Sequence, residues 1–287
     1  MTPRFVMSAI QKLWQSPNRY TRYALGRFYT VRNGYGTLMG FMQRHALCSG
    51  LRPASNHVVQ MTQTVDKIVQ ALEEKSVSLS MTIPEEVCQK LVEMSQQSKL
   101  RHDSCHAPFY YHDIQDHRLP NGKPAILVHV LDAHSHPLVQ DIVGDERVLL
   151  ALERYMGYRP RKADARIMWS FACPWGDQER IEAGQTILYH FDAYDYNFVF
   201  AFYYLTRVDH TTGAHVMVCG SHGKKPLSWL LGIAGQSEDV LVARYGVDSL
   251  LTLEGPPGYG FLQDSSCYHK ALAPISADRF MLIIRYS

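Results

Sequence analysis

From Thr186 to its end the chain is a series of short apolar runs separated by turns. Thr186–Tyr189, Phe198–Leu205, Val216–Val218, Ser249–Leu253, Phe261–Leu262 and Phe280–Tyr286 all read as strands, with Leu227–Ala234 and Ser237–Tyr245 helical between them. The preceding part carries more helix. Thr64–Lys75 has the stripe Val65, Ile68, Val69 and Leu72. Thr82-Ile-Pro-Glu85 has the form of a capping box that opens a helix to about Ser98, and Pro137–Met156 reads as one helix. Strands are expected at Val77–Met81, with Val77, Leu79 and Met81 on one face, at Ala125–Leu131 and at Ala165–Ala172. Helices first and strands after argue for an α+β chain, an antiparallel β core with helices outside it. An eight-stranded jelly-roll is one such core that holds a site between its sheets; pattern alone leaves another β-sandwich open.

One of these runs ends in chemistry. In Gln185-Thr-Ile-Leu-Tyr-His-Phe-Asp192, His190 and Asp192 stand two apart at a strand end, and residues two apart on a strand share a face. An imidazole and a carboxylate on one face are two thirds of the 2-His-1-carboxylate set that suits non-haem Fe(II) and leaves coordination positions open. A His-x-Asp pair also arises by chance as a simple hydrogen-bonded pair. Further on, Gly258 to His269 reads as a turn, a short strand and a histidine, and Arg279 opens the last apolar strand ten residues later.

Those residues carry a resemblance. His190-x-Asp192, His269 and Arg279, in that order, resemble the iron and 2-oxoglutarate pattern of the phytanoyl-CoA dioxygenase family. Tyr203-Tyr-Leu-Thr-Arg-Val-Asp-His-Thr-Thr-Gly213, followed by Cys219-Gly-Ser-His222, resembles that family's strand, turn and Gly-Ser-His segment. The similarity covers roughly Val77 to Tyr286. It implies a double-stranded β-helix (cupin-like jelly-roll) core with flanking helices. It also implies Fe(II) on His190, Asp192 and His269, with 2-oxoglutarate and O2 taking the remaining positions. Arg279 would then hold the far carboxylate of 2-oxoglutarate, since a guanidinium is always charged and binds a carboxylate bidentately. Arg285, of the same strand parity, is the fallback. The implied reaction is hydroxylation of an unactivated C–H bond of a small or lipid-like molecule, with release of succinate and CO2. Related halogenases carry a small residue at the position of Asp192, so the aspartate favours hydroxylation. The alternative is a non-catalytic jelly-roll that binds a metal or ligand.

Other residues are weighed against this set. His210, His215 and His222 are taken as structural. Trp169, Trp175, Tyr189, Tyr194 and Tyr196 are candidates for a pocket lining as well as for core, and Gln185 and Tyr204 for contact with the cosubstrate. The histidines between His102 and His136 are read as loop and surface residues, although His112 with Asp116, or His134 with His136, have ligand chemistry.

The beginning of the chain is of a different character. No acidic residue precedes Asp66, against eight basic ones from Arg4 to Arg52, with aromatics between them. Helical pieces are expected at about Phe5–Gln15, Arg19–Tyr29 and Gly36–Leu47. The division is therefore a basic helical extension, 1–65, and a dioxygenase domain, 66–287. Three readings of the extension stand: helices packed on the domain with solvated charges, a surface for anionic lipid or an acidic partner, and a mitochondrial transit peptide. A net charge of +2 gives no reason to expect nucleic acid. Six scattered cysteines without Cys-x-x-Cys fit reduced thiols and a cytoplasmic location. No run of about 18 apolar residues predicts a transmembrane helix.

Overall fold

In chain order the strands are β1 (Gln60–Met61), β2 (Val77–Thr82), β3 (Leu100–Arg101), β4 (Leu127–Val130), β5 (Ala163–Ser170), β6 (Val199–Tyr204), β7 (His215–Val218), β8 (Leu250–Leu253), β9 (Tyr259–Gln263), β10 (His269–Ala271) and β11 (Arg279–Tyr286). The structure is a computed structural model describing residues 17–287, so the helix expected at Phe5–Gln15 lies outside the described residues. An eight-stranded sheet runs β1-β2-β9-β6-β11-β5-β4-β3, and a three-stranded sheet runs β10-β7-β8. Each pairing of these strands is antiparallel.

Strand β11 shows how the layers are made. It lies between β5 and β6, with Ile284 opposite Ala165 on one side and Ala201 on the other. Its even residues, Phe280, Leu282, Ile284 and Tyr286, are fully buried in the main core. Its odd residues, Arg279, Met281, Ile283 and Arg285, face a cavity of about 270 Å³. That cavity is also lined from β7 and β10 by His215, His269 and Ala271, so it lies between the two sheets. The period-two alternation thus sends one half of a strand to the core and the other to a site.

Several local expectations are corrected. Leu79 does not share a face with Val77 and Met81: the register of β2 against β9 shifts between Ser78 and Met81, and Leu79 turns out to solvent. A bulge adds a residue and reverses the alternation beyond it. The helix Glu85–Gln97 is capped by Pro84 with no side-chain hydrogen bond, so Thr82 makes no capping box. The stretch expected as one helix from Pro137 is two, Pro137–Val143 and Glu146–Met156. Between them the Gly144 carbonyl accepts from Ala54 N, and the Asp145 side chain accepts from the N–H groups of Arg147 and Val148 to start the second helix. Leu227–Ala234 shortens to Leu227–Leu230, and Asp177–Glu182 is a short helix.

The basic N-terminal part forms helices Pro17–Leu25 and Tyr29–Arg44. The expected pieces end at about Tyr29 and start again at about Gly36, yet the second helix begins at Tyr29 and runs straight through Gly34 and Gly36. Gly36 and Gly40, one turn apart, let it lie against the end of Glu146–Met156. A Cβ at either would stand 2.2 Å from the carbonyl oxygen of Met156 or Gly157. Among the described residues no helix is long and apolar enough to cross a membrane, and the six cysteines are unbridged.

Candidate metal and cosubstrate site

His190 is not at the end of a regular strand. Thr186–Tyr189 is irregular: Ile187 N donates to Gln185 O in a tight turn, and Leu188 is exposed. Backbone pairing resumes at one residue. His190 exchanges both hydrogen bonds with His269 (N to O, 3.0 and 2.9 Å) and forms a second bridge to Gly235 on its other side. Asp192 N donates to Ser265 O, in the turn before His269. The extended backbone from 190 to 192 therefore keeps the imidazole and carboxylate on one face, as the two-residue spacing requires, without a full strand.

This pairing brings His190, Asp192 and His269 together, with one ligand atom of each within 4.8 Å of the others. His190 Nε2 lies 3.8 Å from Asp192 Oδ1, and His269 Nε2 lies 3.6 Å from Asp192 Oδ2. The other ring nitrogens are committed. His190 Nδ1 lies 2.9 Å from Leu188 O, and His269 Nδ1 lies 3.0 Å from Cys267 O. A carbonyl oxygen can only accept, so both Nδ1 atoms carry the hydrogen and both Nε2 atoms present a lone pair to the carboxylate. Burial keeps the rings neutral: it lowers His269 to about 4 and, with the nearby His269, also lowers His190. Burial likewise raises Asp192 to about 6. Two nitrogen lone pairs and a carboxylate thus converge with no donor between them. A cation satisfies all three at once, and carbonyls on the far ring nitrogens are the usual support of metal-binding histidines.

Arg279 stands at the inner end of the same cavity, 4% exposed. Opposite it on β5 is Ser170, whose Oγ accepts from Nη2 at 3.0 Å, while Nη1 donates to Gly213 O. Nε has no partner, and no carboxylate pairs with this guanidinium among the described residues. Burial lowers its pKa, as expected for a desolvated cation without a counter-ion. Arg285, at the other end of β11, is already paired: its Nη2 lies 3.1 Å from Asp164 Oδ2. Of the two arginines of β11, the buried one without an anion is Arg279.

The remaining candidates separate. Gln185 and Tyr194 line the cavity. Trp169 does not: its ring stacks on Phe280 with centroids 4.1 Å apart, and its Nε1 donates to Ser95 Oγ. Trp175 donates to His117 O, Tyr189 lies in a separate small core, and Tyr196 packs on Tyr35. Tyr204 donates to Leu253 O inside the sheet packing. His222 is structural, its ring edge-on to Tyr29. His215 is the residue the sequence reading missed. It is buried in the cavity wall, stacked on His269 with centroids 5.3 Å apart, and held neutral by burial first, with the neighbouring His269 and Arg279 acting in the same direction. The available signal was parity, since His215 and Met217 share one face of β7, opposite Ala271 and His269 of β10. The histidines from His102 to His136 gather no metal-ligand set among the described residues.

Comparison with solved structures shows that the fold is a known one. EvdO2 from Micromonospora carbonacea var. aurantiaca, complexed with 2-oxoglutarate, aligns over 80% of this chain and 93% of its own at 13% identity, with a TM-score of 0.52. EctD from S. alaskensis with bound Fe aligns over 82% and 83% at 15% identity and a TM-score of 0.50. The same protein with 2-oxoglutarate and 5-hydroxyectoine aligns over 83% and 82% at 16% identity and a TM-score of 0.50. The likeness is one of fold. No family model matches the sequence, and no curated protein does. The similarity to phytanoyl-CoA dioxygenases therefore stays a resemblance of motifs.

Proposed function

We propose that this chain is a non-haem Fe(II)- and 2-oxoglutarate-dependent dioxygenase, related to the phytanoyl-CoA dioxygenases, that hydroxylates an unactivated C–H bond of a small molecule. The observation that carries the reading is the pairing of two unmet electrostatic needs in one cavity. At one point two imidazole lone pairs meet a carboxylate. Further in, a buried guanidinium lacks a carboxylate partner. A metal ion answers the first and a dicarboxylate the second. Two of the solved structures with this fold hold 2-oxoglutarate and one holds Fe.

In this reading His190 Nε2, Asp192 and His269 Nε2 hold Fe(II), and Arg279 with Ser170 holds the far carboxylate of 2-oxoglutarate. Bound together, iron, the keto acid and O2 supply the oxidising chemistry: the substrate C–H becomes C–OH while 2-oxoglutarate becomes succinate and CO2. The protein's part is placement. Leu188 O and Cys267 O fix both imidazole tautomers. Strand β11 fixes Arg279, and a strand holds a side chain more rigidly than a loop does. Met168, Phe200, Phe202, Met281 and Ile283 give the cavity an apolar wall that excludes water from the reacting bond. Asp192 supplies the hard oxygen ligand whose absence would leave room for an added anion.

Anaerobic titration tests this. Addition of Fe(II) and then 2-oxoglutarate should produce a visible metal-to-ligand charge-transfer band that needs both. A protein that binds neither, or binds 2-oxoglutarate equally well after His269→Ala, is not such an enzyme.

A further inference from the structure

The cavity has a second charged end that the iron and 2-oxoglutarate reading does not use. Its inner end is Arg279 and His215, both about 5% exposed or less. Six residues further along β11, about 20 Å at 3.3–3.4 Å per residue, the outer end is built from Arg285, Arg166 and Asp164. The side chains of these three are 27%, 56% and 39% exposed. Register explains the grouping. Asp164 lies directly opposite Arg285 in the β5–β11 pairing, and Arg166 lies opposite Ile283, so all three project from one face into the cavity. Met168, Ile283 and Phe202 lie between the two ends: Met168 is opposite Met281, and Phe202 is opposite Ile283.

The charges at this outer end do not cancel. Asp164 Oδ2 accepts from Arg166 Nη2 at 2.7 Å and from Arg285 Nη2 at 3.1 Å. Besides Asp192, which belongs to the ligand set, Asp164 is the one carboxylate lining the cavity among the described residues. Two guanidiniums therefore share one carboxylate, which leaves a net positive charge at the opening. Asp164 takes a single N–H of Arg285 and leaves the rest of that planar donor set free. The Tyr194 ring backs the guanidinium, 4.8 Å from its centroid, and fixes its plane. Tyr194 stands two residues beyond Asp192, and both line the cavity together with Arg285. His129, opposite Met168 in the β4–β5 pairing, adds a ring Nδ1 without a partner to the cavity lining. A ligand head at Arg285 and Arg166 would thus leave the atoms behind it beside the metal-binding set.

Resting on the oxygenase reading for the chemistry that follows binding, we propose that the prime substrate is an amphipathic carboxylic acid. Its carboxylate is held by Arg285 and Arg166 at the cavity opening, and its apolar body lies along Ile283, Phe202 and Met168 towards His190 and Asp192. Planar guanidiniums match a carboxylate bidentately, and the lining between the ends offers an alkyl or aryl chain contact without offering it hydrogen bonds.

The test separates this from the oxygenase reading by using two readouts. The charge-transfer band with Fe(II) and 2-oxoglutarate reports the inner site. Calorimetry reports the outer one, with 2-oxoglutarate present in excess so that Arg279 is occupied. The probes are hexanoate, octanoate and 3-phenylpropanoate, each with its amide, and octyl phosphate. At least one acid should bind about tenfold or more tightly than its amide, the scale of a charge-assisted hydrogen bond. In the Arg166→Gln/Arg285→Gln double variant that preference should fall at least fivefold, with the melting curve confirming a folded protein, and Arg285→Lys should keep part of it. Acids no tighter than their amides would overturn the proposal, as would a preference that survives in the double variant. Octyl phosphate binding more tightly than octanoate, with the same loss in the double variant, would overturn the carboxylate assignment in favour of a phosphate head. Should the charge-transfer band be absent while the acid preference holds, the oxygenase reading fails and the acid site stands.

Discussion

Arg32 and Asp264, 232 residues apart in sequence, form a fully buried ion pair that ties the basic N-terminal helix to the turn leading into His269. Arg32 Nη1 lies 2.8 Å from Asp264 Oδ1, and the two side chains are 3% and 0% exposed. Further hydrogen bonds surround the pair. Arg32 Nη2 donates to Asn197 Oδ1 and Phe198 O, Tyr155 OH donates to Asp264 Oδ2 at 2.6 Å, and Ser266 N donates to Oδ1. Arg27 is likewise turned inward, donating to Leu230 O and Gly232 O beside the segment that flanks His190. Two of the basic residues thus brace the loops around the metal-binding set.

Breaking that pair should be costly, because the partner left behind is a buried, uncompensated charge. Arg32→Met or Asp264→Asn is expected to lose roughly 3–5 kcal/mol of stability, read as a shift in the urea midpoint. A loss below about 1 kcal/mol for both would show the pair to be dispensable. The pH dependence follows from the same contact. Burial alone would raise the Asp264 carboxyl, but the charges of Arg32 and His222 and hydrogen bonds from Arg32 and Tyr155 outweigh it and hold it well below the carboxylate range. A carboxyl depressed on folding stabilises the protein above its unfolded value of about 4, and that stability is lost as pH falls further towards the folded value. Acid unfolding below pH 4 should therefore be steeper in the wild type than in Asp264→Asn.

The metal set gives a prediction that does not depend on turnover. His190→Ala, His269→Ala and Asp192→Gly should each abolish Fe(II) retention while leaving the circular dichroism spectrum unchanged. In the wild type, metal at 100 times its Kd should add about 2.7 kcal/mol to stability. The three variants should show no such gain. Wild-type iron content in His269→Ala would remove that residue from the set.

Arg279 and Arg285 should behave differently towards 2-oxoglutarate. Hydrogen bonds to charged groups contribute about 1.5–3 kcal/mol, so Arg279→Ala should weaken 2-oxoglutarate roughly 10–150-fold. Arg279→Lys should recover only part, because an ammonium cannot reproduce the planar fork. Arg285→Ala should leave this affinity nearly unchanged, since its guanidinium is at the far end of the strand and paired with Asp164. The charge-transfer titration reads all three. A large loss in Arg285→Ala alone would mean that the cosubstrate lies the other way round in the cavity.

Two glycines on one helix should respond oppositely to alanine. At Gly40 the new Cβ would meet the Gly157 carbonyl oxygen at 2.2 Å, so the helix must move and the cost is about 1–3 kcal/mol. At Gly34 a Cβ meets nothing within 4 Å, and the gain in helix propensity should stabilise by about 0.5–1 kcal/mol. Chemical denaturation of Gly40→Ala and Gly34→Ala checks both signs. Equal effects would contradict the close helix approach.

The sequence by itself determined the α+β class, the antiparallel strands of the second half and the pairing of His190 with Asp192, because these rest on periods of two and 3.6 residues that are local properties of the chain. It also determined that Arg279 and Arg285 would face the same way, since parity along a strand survives wherever the strand is placed. The convergence of His269 on His190 and Asp192 came from motif order rather than local physics; what creates it is one backbone pairing between residues 79 positions apart. Other matters were decided only by tertiary structure. The bulge that exposes Leu79 depends on how β2 meets β9, and the continuity of Tyr29–Arg44 through its glycines depends on a neighbouring helix end. His215 reads as an ordinary strand residue until β7 is set beside β10. The two arginines of β11 are equivalent in sequence. Asp164 lies opposite one and Ser170 opposite the other, and it is this long-range register that gives Arg285 a carboxylate, shared with Arg166, and leaves Arg279 buried without an anion.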